Sequence, residues 1–390
     1  MFPSEVTDFF KTQKTPFYYY DLDVLNKTLD QIKEHGISRG FRVHFALKAN
    51  NQPKILKLIK EAGLGADCVS GGEVQRAIDT GFSANEIAFA GVGKSDEEIE
   101  LGLKYDIFCF NCESIQELEV INDLAGKQEK TARIALRLNP NVEADTHRYI
   151  TTGLSENKFG INASDLDEVL DQLPEFENLK LIGIHFHIGS QIESFTPFKE
   201  LCERANMLND HIEDKGFELS VINVGGGFGI NYAHPNDNSI PDFERFFGLF
   251  EDEIKLKDHQ QLHFELGRSV VGQCGSLITQ VLFTKYGETK NFAIVDAGMT
   301  ELIRPALYQA AHRIDVLTST KRDKNYDVVG PICESSDTFR TDISIPEVER
   351  GDLVAIRSAG AYGEVMRSAY NLREANPTIY SDDGYLNSKF

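Results

Sequence analysis

Basic residues are in short supply in this chain: 40 lysines and arginines face 61 acids, leaving a formal net charge of -21 over 390 residues. A surface of that sign repels phosphate backbones and anionic lipid, so neither nucleic acid nor a membrane is expected as a partner. Cysteine is equally sparse. Six are scattered at positions 68, 109, 112, 202, 274 and 333, which excludes a disulfide scaffold and points to reduced thiols in the cytoplasm. No stretch approaches the roughly eighteen apolar residues that would span a membrane. The start, "MFPSEVTDFFKTQKTPF", has no basic segment followed by an apolar one, so no export signal is expected. "CFNC" (Cys109 to Cys112) has the spacing of half a zinc or redox site, but no second pair completes it.

What is present is regular. From residue 41 to about 268, short apolar and β-branched runs alternate with amphipathic helical stretches. Strands are expected at 42–47, 66–70, 86–91, 107–111, 133–139, 181–189, 220–226 and 262–267, with helices between them and one more, "LDVLNKTLDQIKEHG", before the first. Eight strands separated by helices give an α/β fold, a (β/α)8 TIM-type barrel, in which the helix before the first strand can fill the gap after the eighth. Beyond residue 270, "SLITQVLFTKYG", "NFAIVDA", "YDVVGPI" and "DLVAIRSA" read as strands with few long helices between them, so a mostly β C-terminal domain should follow. "TPFYYYD" near the start is strand-like and suits that domain too. The boundaries are set at 22–262 for the barrel, with 1–21 and 263–390 forming the β-rich domain.

In such barrels reactive groups gather at the C-terminal ends of the strands. Here the first strand ends in Lys48, the second contains Asp67, the sixth runs into "HFHIGS", the seventh into "GGGFG" and the eighth into "ELGR". A lysine in a barrel mouth can act as an amine nucleophile and form a Schiff base; taken alone it could equally make a structural ion pair. Gly225, Gly226 and Gly227 follow the seventh strand, where barrels commonly hold phosphate, with Ser190 and Arg268 as further donors. Glu265 supplies a carboxylate that can keep a pyridine nitrogen protonated. Together these describe pyridoxal 5'-phosphate (PLP), with His187 over the ring. His185 and His187 share a strand face, so a metal pair is the competing reading, though no third ligand stands near them in sequence.

The ordered set "FALKAN", "GLGADCVSGGE", "HFHIGSQ", "NVGGGFG", "ELGR", "RPALYQAAH", "GPICESSD" and "AGAYG" resembles the fold-type III PLP-dependent decarboxylases, within them the branch acting on diaminopimelate, over nearly the whole chain. The resemblance implies that Lys48 anchors the cofactor, Asp67 is a pocket carboxylate and His187 stacks on the ring. It implies further that Ser190, Gly225 to Gly227, Gly267, Arg268 and Tyr362 contact the cofactor, and that Cys333 is the proton donor. Two positions depart from the pattern: Leu266 replaces the proline of the usual E-P-G-R turn, and Asn157 replaces a serine before "KFG".

The far end of the substrate separates the possibilities. Ornithine offers only an ammonium there, whereas meso-2,6-diaminopimelate offers a complete amino-acid group and needs both an arginine and an acid. Arg304 and Tyr308, with Arg268, are expected to hold the distal carboxylate, Tyr362 to complete the pocket, and Glu334 to hold the distal ammonium. The implied reaction is decarboxylation at the D-centre to L-lysine, the last step of lysine biosynthesis. Arginine, ornithine or a carboxylated polyamine remain alternative substrates. The resemblance also implies an obligate homodimer, the "CES" segment of one chain completing the site of the other.

Overall fold

Eight parallel strands, Arg42–Ala46, Gly65–Cys68, Ile87–Phe89, Cys109–Cys112, Ala132–Asn139, Leu179–His185, Val221–Asn223 and Gln261–Leu266, pair in sequence order, and the last pairs back onto the first. These are the eight stretches expected, and they close a barrel. The computed structural model describes residues 2–142, 158–237 and 239–383. Asn157 lies outside them. The chain divides into two compact units, one of residues 29–229 with 242–267 and one of residues 1–28, 230–241 and 268–390.

In the barrel unit, helix starts are written into the sequence as Ser-x-x-Glu. Ser70, Ser95 and Ser114 each precede a helix (Gly71–Thr80, Asp96–Tyr105 and Ile115–Lys127), and each hydroxyl accepts the backbone N–H three residues on, at Glu73, Glu98 and Glu117. Each such cap is worth about 1 kcal/mol. The glutamates reach back in turn: Glu98 accepts from the Ser95 N–H at 3.0 Å, Glu73 from the Val69 N–H at 2.8 Å and Glu117 from the Glu113 N–H at 2.7 Å.

The helix Phe243–Glu253 carries Phe243, Phe246, Phe247 and Phe250 on one face, the three-four spacing of a helix that buries a single stripe. That stripe packs against Phe264, whose ring centre lies 5.0 Å from those of both Phe247 and Phe250. Burying side chains of this size stabilises the fold by roughly 1.5–3 kcal/mol each. Since strand residues alternate sides, anchoring Phe264 outward turns Glu265 inward. The helix Leu22–His35 ends at Gly36, where a Cβ would come within 2.9 Å of Phe247. Lower in the barrel His44 and His263 bond to one another at 3.0 Å, both buried.

The second unit is built on an eight-stranded sheet. Gly275–Tyr286, Asn291–Val295, Asp323–Val329 and Leu353–Ile356 occupy the stretches expected from sequence. Phe17–Tyr20 pairs antiparallel with the start of the first of these, Phe17 opposite Ile278. Ile314–Val316, Thr338–Pro346 and Ile379–Tyr380 were not anticipated. The second of them alternates poorly, because much of its length is exposed or half-buried and its charges interrupt the apolar period. Among the described residues no helix is long and apolar enough to cross a membrane.

Candidate active site

Lys48 sits in a single 3-10 turn, Leu47–Ala49, directly after the first barrel strand. Its Nζ donates to Asp67 Oδ2 at 3.1 Å; the lysine is about one-third exposed and the carboxylate fully buried. Asp67 Oδ1 is buried and meets no hydrogen-bond donor among the described residues. Burial, then the neighbouring charge of Glu265, raise the Asp67 carboxyl above its ordinary range, against the pull of Lys48.

Glu265 is treated differently by its surroundings. Its carboxylate accepts hydrogen bonds from His185 Nε2 at 2.8 Å, Asn223 Nδ2 at 2.8 Å and Asn111 Nδ2 at 3.0 Å. Burial alone would raise this carboxyl, but His185, together with Lys48 and His44, overrides burial and holds Glu265 well below the usual carboxylate range. Hydrogen bonds to an ionised group contribute about 1.5–3 kcal/mol each, which is the scale needed to keep a charge in so dry a place. Two nearby carboxyls thus have their proton affinities driven apart, a pattern characteristic of sites that do chemistry.

His187 is half-buried beyond the sixth strand, and burial, reinforced by Arg137 and Lys48, lowers its pKa well below the ordinary histidine value. Ser190 follows three residues on. The glycine run after the seventh strand lies hard against neighbouring backbone: a Cβ on Gly225 would come 2.0 Å from the Phe186 carbonyl oxygen, and one on Gly226 2.0 Å from that of Glu265. Gly226→Ala is therefore expected to destabilise the barrel by about 1–3 kcal/mol, as overpacking does. Denaturant unfolding would show it; an unchanged midpoint would mean that the strands give way. Gly267 directly follows the eighth strand.

In the second unit, Arg268 Nη1 donates to the Tyr232 hydroxyl at 2.5 Å and its guanidinium lies 4.8 Å from the centre of the Tyr362 ring. Arg304 opens the short helix Arg304–Tyr308 and lies 4.8 Å from the Tyr232 ring, so two buried guanidinium groups share one tyrosine. Tyr308, at the other end of that helix, is half-buried. Cys333 and Glu334 stand on an exposed loop with partners of their own. The Cys333 N–H donates to Asn371 Oδ1 at 3.4 Å, and Glu334 Oε1 accepts from the Tyr370 hydroxyl at 2.7 Å. Asp337 pins that loop, accepting from the backbone N–H groups of Ile332 at 2.7 Å and Met299 at 2.6 Å. Of the six cysteines five are buried and Cys333 is exposed, so it is the thiol best placed to reach a second molecule.

The reading of single residues missed the groups that hold these side chains: His185, Asn111 and Asn223 around Glu265, and Tyr232 and His312 around the arginines. The signal for the first three was there, because polar residues at inward positions of apolar strands need a reason to be buried.

A family model described as pyridoxal-dependent decarboxylase, pyridoxal binding domain, matches residues 23–272. The diaminopimelate decarboxylase of Bacteroides thetaiotaomicron is 57% identical over 377 residues, covering 96% of this chain and 97% of the relative. That of Aquifex aeolicus is 40% identical over 376 residues, covering 96% and 88%. Among solved structures, Helicobacter pylori diaminopimelate decarboxylase complexed with L-lysine superposes with a TM-score of 0.88 at 40% identity, covering 96% of this chain and 92% of that one.

Proposed function

The chain belongs to the pyridoxal-dependent decarboxylases, in the diaminopimelate decarboxylase family, and from that premise we propose how its residues divide the work. The enzyme takes PLP as cofactor and removes the carboxylate at the D-centre of meso-2,6-diaminopimelate, giving L-lysine and carbon dioxide as the last step of lysine biosynthesis. The observation that carries the cofactor chemistry is Glu265, a buried carboxylate held ionised by three N–H donors. When bound, PLP supplies an aldehyde that captures amines and a protonated pyridine ring that draws electrons from the breaking carbon–carbon bond.

The donor set fits that group. Lys48 would hold the aldehyde carbon and Glu265 the ring nitrogen, and the half-used carboxyl of Asp67 has an oxygen to spare within the same pocket. The close-packed backbone at Gly225 to Gly227, with Ser190, Gly267, Arg268 and Tyr362, would hold the phosphate end, and His187 would cover the ring face. Lys48 would serve as the resting amine partner of the cofactor between turnovers. Arg304, Arg268 and Tyr308 hold the distal carboxylate, Tyr362 lines the pocket beside them, and Glu334 holds the distal ammonium. The Cys333 Sγ carries the proton delivered to the carbon from which carbon dioxide has departed.

The active form is a homodimer in which the Cys333–Glu334 loop of one copy serves the site of the other. It works in the cytoplasm, in keeping with six unpaired cysteines.

Carbon dioxide release should be compared for meso-diaminopimelate, L-arginine, L-ornithine and carboxynorspermidine at matched concentrations. A site whose buried Arg304 is left without a carboxylate by the wrong substrate should favour meso-diaminopimelate by on the order of 10⁴-fold. Preference for any of the other three would overturn the roles given to Arg304 and Glu334.

A further inference from the structure

The motif "RPALYQAAH" ends in a histidine to which the chemistry above gives no task. His312 is 1% exposed, and both ring nitrogens are engaged: Nδ1 with the Arg357 carbonyl oxygen at 2.8 Å, and Nε2 with Arg304 Nη1 at 2.7 Å. A carbonyl can only accept, so Nδ1 carries the proton and donates. That leaves Nε2 as a bare lone pair, which accepts from the arginine. The tautomer is therefore dictated by the backbone of the strand end at Arg357, and through it the direction in which the guanidinium points.

We propose that His312 is a positioning residue for substrate selection: it aims Arg304 at the distal carboxylate, and Tyr232 completes the mount. This rests on the assignment of Arg304 to that carboxylate. Tyr232 lies between the two guanidinium groups, accepting from Arg268 through its hydroxyl and presenting its ring to Arg304 at 4.8 Å, while its ring meets His312 edge to face with centres 5.0 Å apart. Arg304 Nε is buried with no acceptor among the described residues. The mount thus uses a neutral acceptor and an aromatic face, neither of which neutralises the arginine. A carboxylate in the mount would have competed with the substrate for the charge; an imidazole lone pair does not. Burial, with the field of Arg304, keeps His312 neutral by pushing its pKa down to about 3, so the lone pair persists across the range in which enzymes work.

The test uses ligands that differ only in the group Arg304 would recognise. L-lysine retains a carboxylate at the distal centre, and 1,5-diaminopentane lacks it. Dissociation constants for both would be measured by calorimetry on the PLP-loaded enzyme carrying His312→Phe, which keeps the ring and loses the lone pair, or His312→Asn, which keeps one donor and one acceptor. His312→Phe should weaken L-lysine by on the order of 10- to 100-fold, the worth of a hydrogen bond to a charged group, and leave 1,5-diaminopentane unchanged. His312→Asn should recover much of the loss. In turnover the same variant should raise KM for meso-diaminopimelate far more than it lowers kcat. Equal losses for both ligands, or no loss for either, would overturn the role of His312. If the unaltered enzyme bound the two ligands equally, the assignment of Arg304 itself would fall, which is a separate outcome.

Discussion

Lys48→Ala is expected to lower carbon dioxide release by on the order of 10⁴-fold, because it removes the amine proposed to hold the cofactor. The structure adds a second expectation. Lys48 is the cation 3.1 Å from Asp67, a fully buried carboxyl whose proton affinity is already raised by burial and by Glu265. Without the lysine, only His185 still opposes that rise, so the Asp67 carboxyl should move further towards its protonated form in the variant. The protein then loses an ion pair without keeping a naked charge, and should fold. Thermal unfolding separates the outcomes: a folded variant with no covalently held PLP and negligible turnover fits the assignment, whereas a variant that keeps a lysine-linked cofactor and normal turnover would sink it.

Cys333→Ala should cost about 10²- to 10⁴-fold in turnover, the usual worth of a general acid. Its exposed position makes the sharing of sites directly testable. Mixing inactive Lys48→Ala chains with inactive Cys333→Ala chains, under conditions of subunit exchange, yields mixed dimers in which one of the two sites draws an intact lysine from one copy and an intact cysteine from the other. Random exchange of a two-fold dimer should restore about one quarter of normal activity. Confirmed mixed dimers without recovery would show that each chain completes its own site.

The barrel was legible because its strands are buried and regularly spaced, and because Lys48, the glycine run and Glu265 all stand at strand ends, where position itself carries meaning. Less legible were residues that act only on other residues. His185 invited a metal reading through its period-two relation to His187, yet it spends its Nε2 on Glu265. Asn111 lies inside "CFNC", where the cysteines drew the eye; both thiols are buried and the asparagine between them reaches the carboxylate. No local pattern announces that residues 111, 185, 223 and 265 converge, since only closure of the barrel brings four separate strands to one point. Leu266, the departure from the proline pattern, is buried at the end of the eighth strand opposite Phe45 and keeps an N–H that proline would lack. It alters backbone chemistry without touching the inward carboxylate beside it.

The three donors around Glu265 bear on the speed of the reaction as well as on binding. In water, a carboxylate facing a ring whose charge changes would be served by dipoles that must turn with each event, and that turning is part of the barrier. Here the dipoles are one imidazole and two amides, of His185, Asn111 and Asn223, each on its own strand of the closed barrel and already bonded to the carboxylate. Their orientation is set when the chain folds, so with Glu265 in the role proposed for it every catalytic cycle would begin with the reorganisation energy at that end of the ring already removed.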